Sequence, residues 1–246
     1  MQNLKGINES KIAEWTEKPW NPVTGCSKVS SGCLNCYAET QAKWLHGMNN
    51  PKYRNTFEVT LHEDLIELPL SWRNPQRVFT CSMSDLFHER VPLEFILRVF
   101  DTMRRSSQHT FLVLTKRSRR LAELSSQIEW TDNIWMGVTL EEERFNHRID
   151  DLRSTGAIRR FISAEPLLEN LGVLNLSGID WIFVGGESGD NARPIEESWI
   201  LNIRDQCREQ GVMFTFKQWG GKNRKKNGSL LEGNYYHDMP PVMRDK

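Results

Sequence analysis

Short runs of β-branched and aromatic residues alternate along this chain with longer segments whose apolar residues recur every third or fourth position. The runs are Trp20–Thr24, Arg77–Ser82, Thr110–Thr115, Asn133–Thr139, Arg159–Ser163, Trp181–Val184 and Val212–Phe216. Several are almost wholly apolar, as in Phe111-Leu-Val-Leu114 and Trp181-Ile-Phe-Val184. Strands covered on both faces of a parallel sheet read this way. Between them the spacing predicts helices over Ala38–Gly47, Leu93–Arg105, Leu121–Gln127, Glu142–Ser154 and Glu197–Gln210, the last stopped by Gly211.

Strand–helix alternation predicts an α/β fold with a parallel sheet and right-handed crossovers. Six to seven βα units fit a partial or complete parallel (β/α) barrel, and a doubly wound open sheet is the rival. Beyond Gly221 the rhythm stops; the basic run Lys222-Asn-Arg-Lys-Lys226 and Met239-Pro-Pro241 read as a tail or lid. The expected organisation is an N-terminal arm over 1–13, a barrel over 14–221 and a tail over 222–246.

Nearly every strand runs directly into reactive or charged side chains. In order they are Cys26; Ser84-Asp85, then His88-Glu89; Lys116-Arg117; Glu141; Glu165-Pro166; Gly185-Gly186-Glu187-Ser188; and Lys217-Gln218-Trp219. In parallel α/β folds the carboxyl ends of the strands share one face, where ligands bind. Emergence into water would explain any single one of these; for seven of seven it is a weaker account.

A chain of 246 residues suits one α/β barrel and does not require two domains. Lys plus Arg and Asp plus Glu balance at 32 each, so no overall electrostatic footprint for nucleic acid exists. A local basic groove stays open. The first residues lack a signal-peptide core, and no stretch approaches the roughly 18 apolar residues of a membrane span. The expectation is a cytoplasmic protein with reduced thiols and no membrane partner. Five cysteines there, three of them clustered, point to metal or catalysis over disulfides.

The cluster is Cys26-Ser-Lys-Val-Ser-Ser-Gly-Cys33-Leu-Asn-Cys36, followed by Tyr37. Three readings compete. Three thiolates can hold a [4Fe–4S] cluster and leave one iron open for S-adenosylmethionine, whose reductive cleavage gives a 5′-deoxyadenosyl radical that abstracts hydrogen from carbon. A structural zinc would need a fourth ligand, from His46 or Cys81, at a spacing unlike that of a zinc finger. The third reading is unrelated buried thiols. Cys81 and Cys207 read as apolar fillers of a strand and a helix, and His88 and His147 as surface or cap residues.

Glu14-Trp-Thr, Trp20-Asn-Pro-Val-Thr-Gly-Cys26 and Gly32-Cys33-x-x-Cys36-Tyr-Ala-Glu39 resemble a family of phage and prophage proteins named for a three-cysteine motif. Ser82-Met-Ser-Asp-Leu-Phe-His-Glu89, Leu114-Thr-Lys-Arg117, Ser163-Ala-Glu-Pro-Leu-Leu168, Val184-Gly-Gly-Glu-Ser188, Ala192-Arg-Pro194 and Phe216-Lys-Gln-Trp-Gly220 extend the likeness to the tail. Its members are regarded as radical S-adenosylmethionine-like proteins of poorly defined function. The resemblance implies Cys26, Cys33 and Cys36 as ligands of the [4Fe–4S] cluster, with S-adenosylmethionine as cosubstrate and an external one-electron donor such as a flavodoxin. The wider superfamily has three residues in the first cysteine gap and an aromatic before the last cysteine. Here there are six, with Asn35 before Cys36 and Tyr37 after it, so Tyr37 is the candidate for the adenine side. The superfamily's Gly-Gly-Glu follows its second strand; here the second strand ends in Ser84 and Asp85, which take that position for the cofactor ammonium or ribose.

Each remaining role has a plainer rival. Ser84 and Asp85 also suit a helix N-cap. Lys116 is a candidate for the cofactor carboxylate or a solvated lysine. Glu141 is a candidate for the ribose or a first-turn acid favoured by the helix dipole. Glu165, flanked by apolar residues, is expected in catalysis together with Glu187 and Lys217. Gly185 and Gly186 would shape the substrate side, Gln218 would read a base edge and Trp219 would stack on it, unless Trp219 merely packs. A nucleobase or nucleic acid is the leading expectation for the substrate, supported by the basic runs Lys116–Arg120 and Lys222–Lys226, which solvation explains equally well. A non-catalytic phage accessory protein with a zinc-stapled loop is the alternative.

Overall fold

The computed structural model describes residues 18–241. The expected arm over 1–13 and the Glu14-Trp-Thr part of the motif lie outside the described residues. Seven strands form one all-parallel sheet: β1 (Lys18–Trp20), β4 (Arg77–Thr80), β5 (Thr110–Thr115), β6 (Ile134–Thr139), β7 (Arg159–Ala164), β8 (Trp181–Gly185) and β9 (Met213–Gln218). They lie in sequence order, so every crossover steps to the next strand and the sheet is singly wound. Right-handed crossovers then place all the connections on one face, and the sheet curls into a partial (β/α) barrel. The doubly wound rival is excluded by this order. The expected first strand is split: β2 (Val23–Thr24) leaves the main sheet and pairs antiparallel with β3 (Thr60–Leu61).

The helices follow the amphipathic spacing. They are α1 (Tyr37–Gly47), α2 (Leu93–Arg105), α3 (Ser118–Leu124), α4 (His147–Arg153), α5 (Glu197–Gln210) and α6 (Arg224–Asn227). α2 and α5 match their expected bounds. α4 is shorter than expected, because Glu143–Phe145 forms a 3-10 turn first. Residues 165–180 cross from β7 to β8 without a helix, yet Leu167, Leu171, Leu174 and Leu176 fill the same outer layer.

Both faces of the sheet are covered, which explains the continuous apolar runs. Outward residues such as Val113, Val138, Ile162 and Val184 pack with the helices in the main core. Inward residues Leu112, Trp135, Phe161, Trp181 and Phe183 form a separate cluster. Its rings lie close, with Trp181 and Phe183 centroids 5.1 Å apart and Phe161 and Trp181 5.5 Å apart. The concave side is thus a packed layer rather than a pore.

The tail is partly structured. Phe216 N donates to Tyr236 O at 3.0 Å and Thr215 pairs with His237, so the tail lines the exposed edge of β9. It then crosses to β4 and β5, where Arg77 Nη2 donates to Pro240 O at 3.0 Å and Thr110 Oγ1 to Pro241 O at 3.0 Å. Among the described residues no helix is long and apolar enough to cross a membrane.

Candidate functional site

A strand sends alternate side chains to opposite faces, and that alternation places the candidate residues. On the inner face Leu112 and Leu114 lead to Lys116, Trp135 and Gly137 to Glu141, Phe161 to Glu165, Phe183 and Gly185 to Glu187, and Met213 to Lys217. These charged groups form the layer above the aromatic floor, at the carboxyl ends of the strands. They pair around the mouth: Lys116 with Glu141, Lys217 Nζ with Glu165 Oε2 at 2.7 Å, and Arg193 Nη2 with Glu187 Oε1 at 2.5 Å.

The three-cysteine loop between β2 and α1 lies across this mouth, hydrogen-bonded to the ends of four strands. Behind β4, Gly25 N donates to Met83 O at 3.1 Å, Ser27 Oγ lies 2.8 Å from His88 Nε2, and Tyr37 Oη donates to Ser82 O at 2.6 Å. Behind β5, Arg117 Nη2 donates to Ser27 O at 3.2 Å. Behind β6, Ser30 Oγ donates to Glu141 Oε1 at 2.5 Å and Ser31 Oγ to Glu142. Behind β8, Asn35 Nδ2 donates to Glu187 Oε2 at 3.0 Å, and Arg193 Nη2 to Ser31 O at 3.0 Å. Gly32 fits because a Cβ there would lie 2.6 Å from Glu141 Oε1.

All three cysteines of the loop are partly exposed as residues. Burial and the neighbouring Asp85 push the Cys26 thiol up to about 11, although Arg117 acts against them. Cys33 moves the other way: burial raises it, but the Lys116 ammonium and hydrogen bonds at Val29 and Ser30 bring it below the usual thiol value. Ser30 Oγ lies 3.6 Å from Cys33 Sγ.

The expected cofactor residues are heavily engaged with the protein itself. Asp85 is buried and accepts from Phe87 N at 3.0 Å, Thr115 Oγ1 at 2.8 Å, Lys116 N at 3.1 Å and Arg117 Nη1 at 3.0 Å. Ser84 Oγ donates to Val23 O at 2.7 Å, which fixes the turn after β4 to β2. Glu141 is fully buried and also accepts from Arg148 Nη1 at 2.8 Å. Burial raises its carboxyl, and the Lys116 and Arg148 cations more than offset this, so it titrates low. Tyr37 has an open ring but an enclosed hydroxyl, whose titration is raised by burial and by Glu165.

On the other side of the mouth, Glu165 and Lys217 each keep 19% of their side-chain surface exposed, and Glu165 is the most open of the three paired inner carboxylates, against 0% for Glu141 and 4% for Glu187. Gln218 is buried, with Nε2 donating to Glu165 Oε1 at 3.0 Å and to Ser188 Oγ at 2.8 Å. Trp219 packs edge-on against Phe216 and donates Nε1 to Leu230 O at 2.9 Å. Gly186 answers a packing demand: a Cβ there would meet Trp219 O at 2.1 Å, where the exits of β8 and β9 touch. Gly185 faces Glu165, 3.1 Å from its carboxyl carbon to a built Cβ.

Several residues gain weight that the sequence did not give them. Arg117, Arg148 and Arg193 supply the cations, and Ser27, Ser30 and Asn35 supply the loop anchors. The resemblance had quoted Arg117 and Arg193, but a lone arginine after a strand carries no signal of burial. His88 is not a surface residue: it is buried, and its Nδ1 accepts from Arg90 N at 3.0 Å as a turn cap. Cys81 is not in a strand interior; it follows β4 with φ 60° and is buried, which pushes its thiol up to about 12. Cys207 is buried on α5 and His147 is exposed, as expected. The run Lys116–Arg120 is no basic patch, since Lys116 and Arg117 turn into the site and Arg120 Nη2 donates to Val91 O at 2.7 Å.

Among the described residues, no three Cys, His, Asp or Glu side chains gather as a single metal ion would require. His46, one proposed fourth zinc ligand, has its Nδ1 3.0 Å from Tyr53 O. A four-iron cube is larger than one ion, so thiols that hold it stand farther apart than the ligands of a lone metal. Three cysteines on one braced loop, none of them fully buried, fit such a cube in number and chemistry.

A family model for the "Protein of unknown function (DUF5131)" matches residues 9–240. The chain belongs to this family. No curated protein matches it. Among solved structures, a cysteine variant of spore photoproduct lyase is similar with a TM-score of 0.47 and 13% identity, covering 85% of this chain and 65% of that one. A double variant of that lyase, with bound AdoMet and dinucleoside spore photoproduct, gives 0.45 at 11% identity over 78% and 61% of the two chains. The lyase complexed with dinucleoside spore photoproduct gives 0.42 at 11% identity over 76% and 59%. The chain spans less than two thirds of the length of each of these lyase chains.

Proposed function

We propose that this member of the family is a radical S-adenosylmethionine enzyme in which Cys26, Cys33 and Cys36 hold a [4Fe–4S] cluster. The observation that carries the reading is the three-cysteine loop, braced across the carboxyl ends of four parallel strands with its cysteines only partly buried. When bound, the cluster would pass one electron from an external donor such as a flavodoxin to the sulfonium of S-adenosylmethionine and so start hydrogen abstraction. The chain's own residues do the rest. Lys116, Glu141 and Arg148 fix the floor beneath the loop, and Glu187 with Arg193 fixes its far side. Glu165, the most open of the three inner carboxylates, is the place where a ligand ammonium can exchange for the internal partner Lys217. Tyr37 offers an open ring beside the cluster loop.

A nucleotide or nucleic-acid base is the proposed substrate. Its support is local: Lys222, Arg224, Lys225 and Lys226 are exposed, and Lys222 Nζ pairs with Asp190 Oδ1 at 3.2 Å beside Asn191, whose carbonyl holds Asn35 of the cysteine loop. Phosphates would meet these cations at the rim of the mouth.

The test is anaerobic reconstitution with iron and sulfide. Brown protein carrying about four irons per chain, with a visible band bleached by dithionite, is the expected result. Reduced protein incubated with S-adenosylmethionine then yields 5′-deoxyadenosine. Colourless protein with stoichiometric zinc would instead identify a stapled interaction module. Loaded protein that makes no 5′-deoxyadenosine would keep the metal site and remove the radical chemistry.

A further inference from the structure

Arg117 follows β5 directly, and its side chain is only 4% exposed. Its donors are spread over four partners. Nε reaches Glu89 Oε1 and Oε2 at 3.0 Å each, and Nη1 reaches Asp85 Oδ2 at 3.0 Å and Cys26 Sγ at 3.5 Å. Nη2 reaches Ser27 O at 3.2 Å and Ser27 Oγ at 3.0 Å. The guanidinium cannot drift, because Asp85 is itself held by Phe87 N, Thr115 Oγ1 and Lys116 N. One fixed buried cation therefore sits on the sulfur of the first cysteine. Cys33 has a softer environment, a hydroxyl at 3.6 Å and a lysine shared with Glu141.

We infer that Arg117 is a positioning residue for the Cys26 ligand, fixing its sulfur and raising the reduction potential of the cluster; this rests on the cluster reading above. Adding an electron makes a cluster more negative. A hydrogen-bonding cation at a ligand sulfur stabilises that form, and cluster potentials respond to net charge and to hydrogen bonds at sulfur. Lysine would keep the charge but not the fork that spans Asp85, Cys26 and Ser27 at once. The plainer role for Arg117 is a brace for the loop through Ser27, and that role predicts no change in potential.

Wild type, Arg117→Lys and Arg117→Gln are reconstituted anaerobically. Iron and sulfide content, the midpoint potential from a dye-coupled titration, and the electron paramagnetic resonance spectrum of the reduced cluster are read for each. Arg117→Gln is expected to lower the reduction equilibrium constant at least tenfold, a shift of about 59 mV for a one-electron couple, with a changed spectrum. Arg117→Lys is expected to shift less. Variants that load iron as wild type does and keep its potential and spectrum overturn the inference and leave the cluster reading intact. Should Arg117→Gln not fold, Arg117→Lys decides alone, and an unmoved potential there overturns the inference. Wild type that takes up no iron removes the cluster and this inference with it.

Discussion

A single methyl group at Gly32 tests whether the cysteine loop is seated on Glu141. The Cβ of Gly32→Ala would stand 2.6 Å from Glu141 Cγ and Oε1 and 3.0 Å from its Cδ. Carbon contacts are comfortable at about 3.5–4.0 Å, so something must retreat by roughly 1 Å. Glu141 cannot swing away, being fully buried and tied to Lys116, Arg148 and Ser30. The 3-10 turn Ser31–Cys33 must lift instead, stretching the hydrogen bond from Ser30 to the carboxylate. Overpacking costs about 1–3 kcal/mol, and a hydrogen bond to a charged group is worth about 1.5–3 kcal/mol. Removing a glycine returns about 0.4–1 kcal/mol through the unfolded chain. The net expectation is a loss of about 1.5–5.5 kcal/mol, or roughly 3–20 °C in melting temperature at this size. Thermal melting measures the global part. Hydrogen exchange at the Cys33 and Leu34 amides, which donate to Ser30 O at 3.0 Å and Ser31 O at 3.1 Å, measures the local part. A variant that melts with wild type and exchanges no faster in this turn would refute the seating of the loop on Glu141.

Three further outcomes follow from the same geometry. Glu141→Gln strips the buried Arg148 of its counter-charge, a change of about 3–5 kcal/mol for a broken buried pair, and calorimetry should show the loss; a melting point within a degree or two of wild type would contradict the pairing. Glu187 titrates below its usual value of 4.5, since burial raises it but hydrogen bonds from Arg193 and Asn35 win. A lowered folded pKa gives stability that is present above the usual value and lost as pH falls through the lowered one, so wild type should lose more stability than Glu187→Gln below about pH 4.5, measured by urea unfolding; equal losses would remove Glu187 from the linkage. Replacing Lys225 and Lys226 by Gln should weaken binding to a single-stranded oligonucleotide and flatten its salt dependence by up to about two ions; binding that is absent in wild type, or unmoved by the change, would withdraw the rim of α6 as a phosphate contact.

Strand positions and inward charges were legible because one physical pattern encodes both. Runs covered on two faces are apolar at every position, and the same two-residue alternation that aims Leu112 and Leu114 inward aims Lys116 inward above them. The openness of the barrel was not legible, because it depends on β1 and β9 failing to meet, and strand runs alone do not say whether their ends pair. Nor were the partners of the charged groups. Glu141 reads as a first-turn acid, and nothing in its neighbours announces that Arg148 bends back to it from α4 at 2.8 Å. Gly185-Gly186 reads as a ligand-binding turn, but the demand on Gly186 comes from Trp219 O at the end of another strand. The Lys116–Arg120 run reads as a surface patch because a sequence shows charge without showing which way a side chain turns.

The anchoring of the loop bears on what kind of metal site it can be. A structural zinc is commonly what holds its loop in shape, and its four closed ligands are then the principal tertiary contacts of a segment with few others. Here the segment from Ser27 to Tyr37 already has partners elsewhere in the protein at five positions: Ser27 with His88 and Arg117, Ser30 with Glu141, Ser31 with Glu142 and Arg193, Asn35 with Glu187, and Tyr37 with Ser82. Several of those partners are buried and charged, so each is fixed by further contacts and cannot follow the loop if it moves. A loop shaped by the barrel does not need a metal to shape it. Its cysteines are then not required as structural staples, and the proposed cluster would sit on a loop that the barrel already holds.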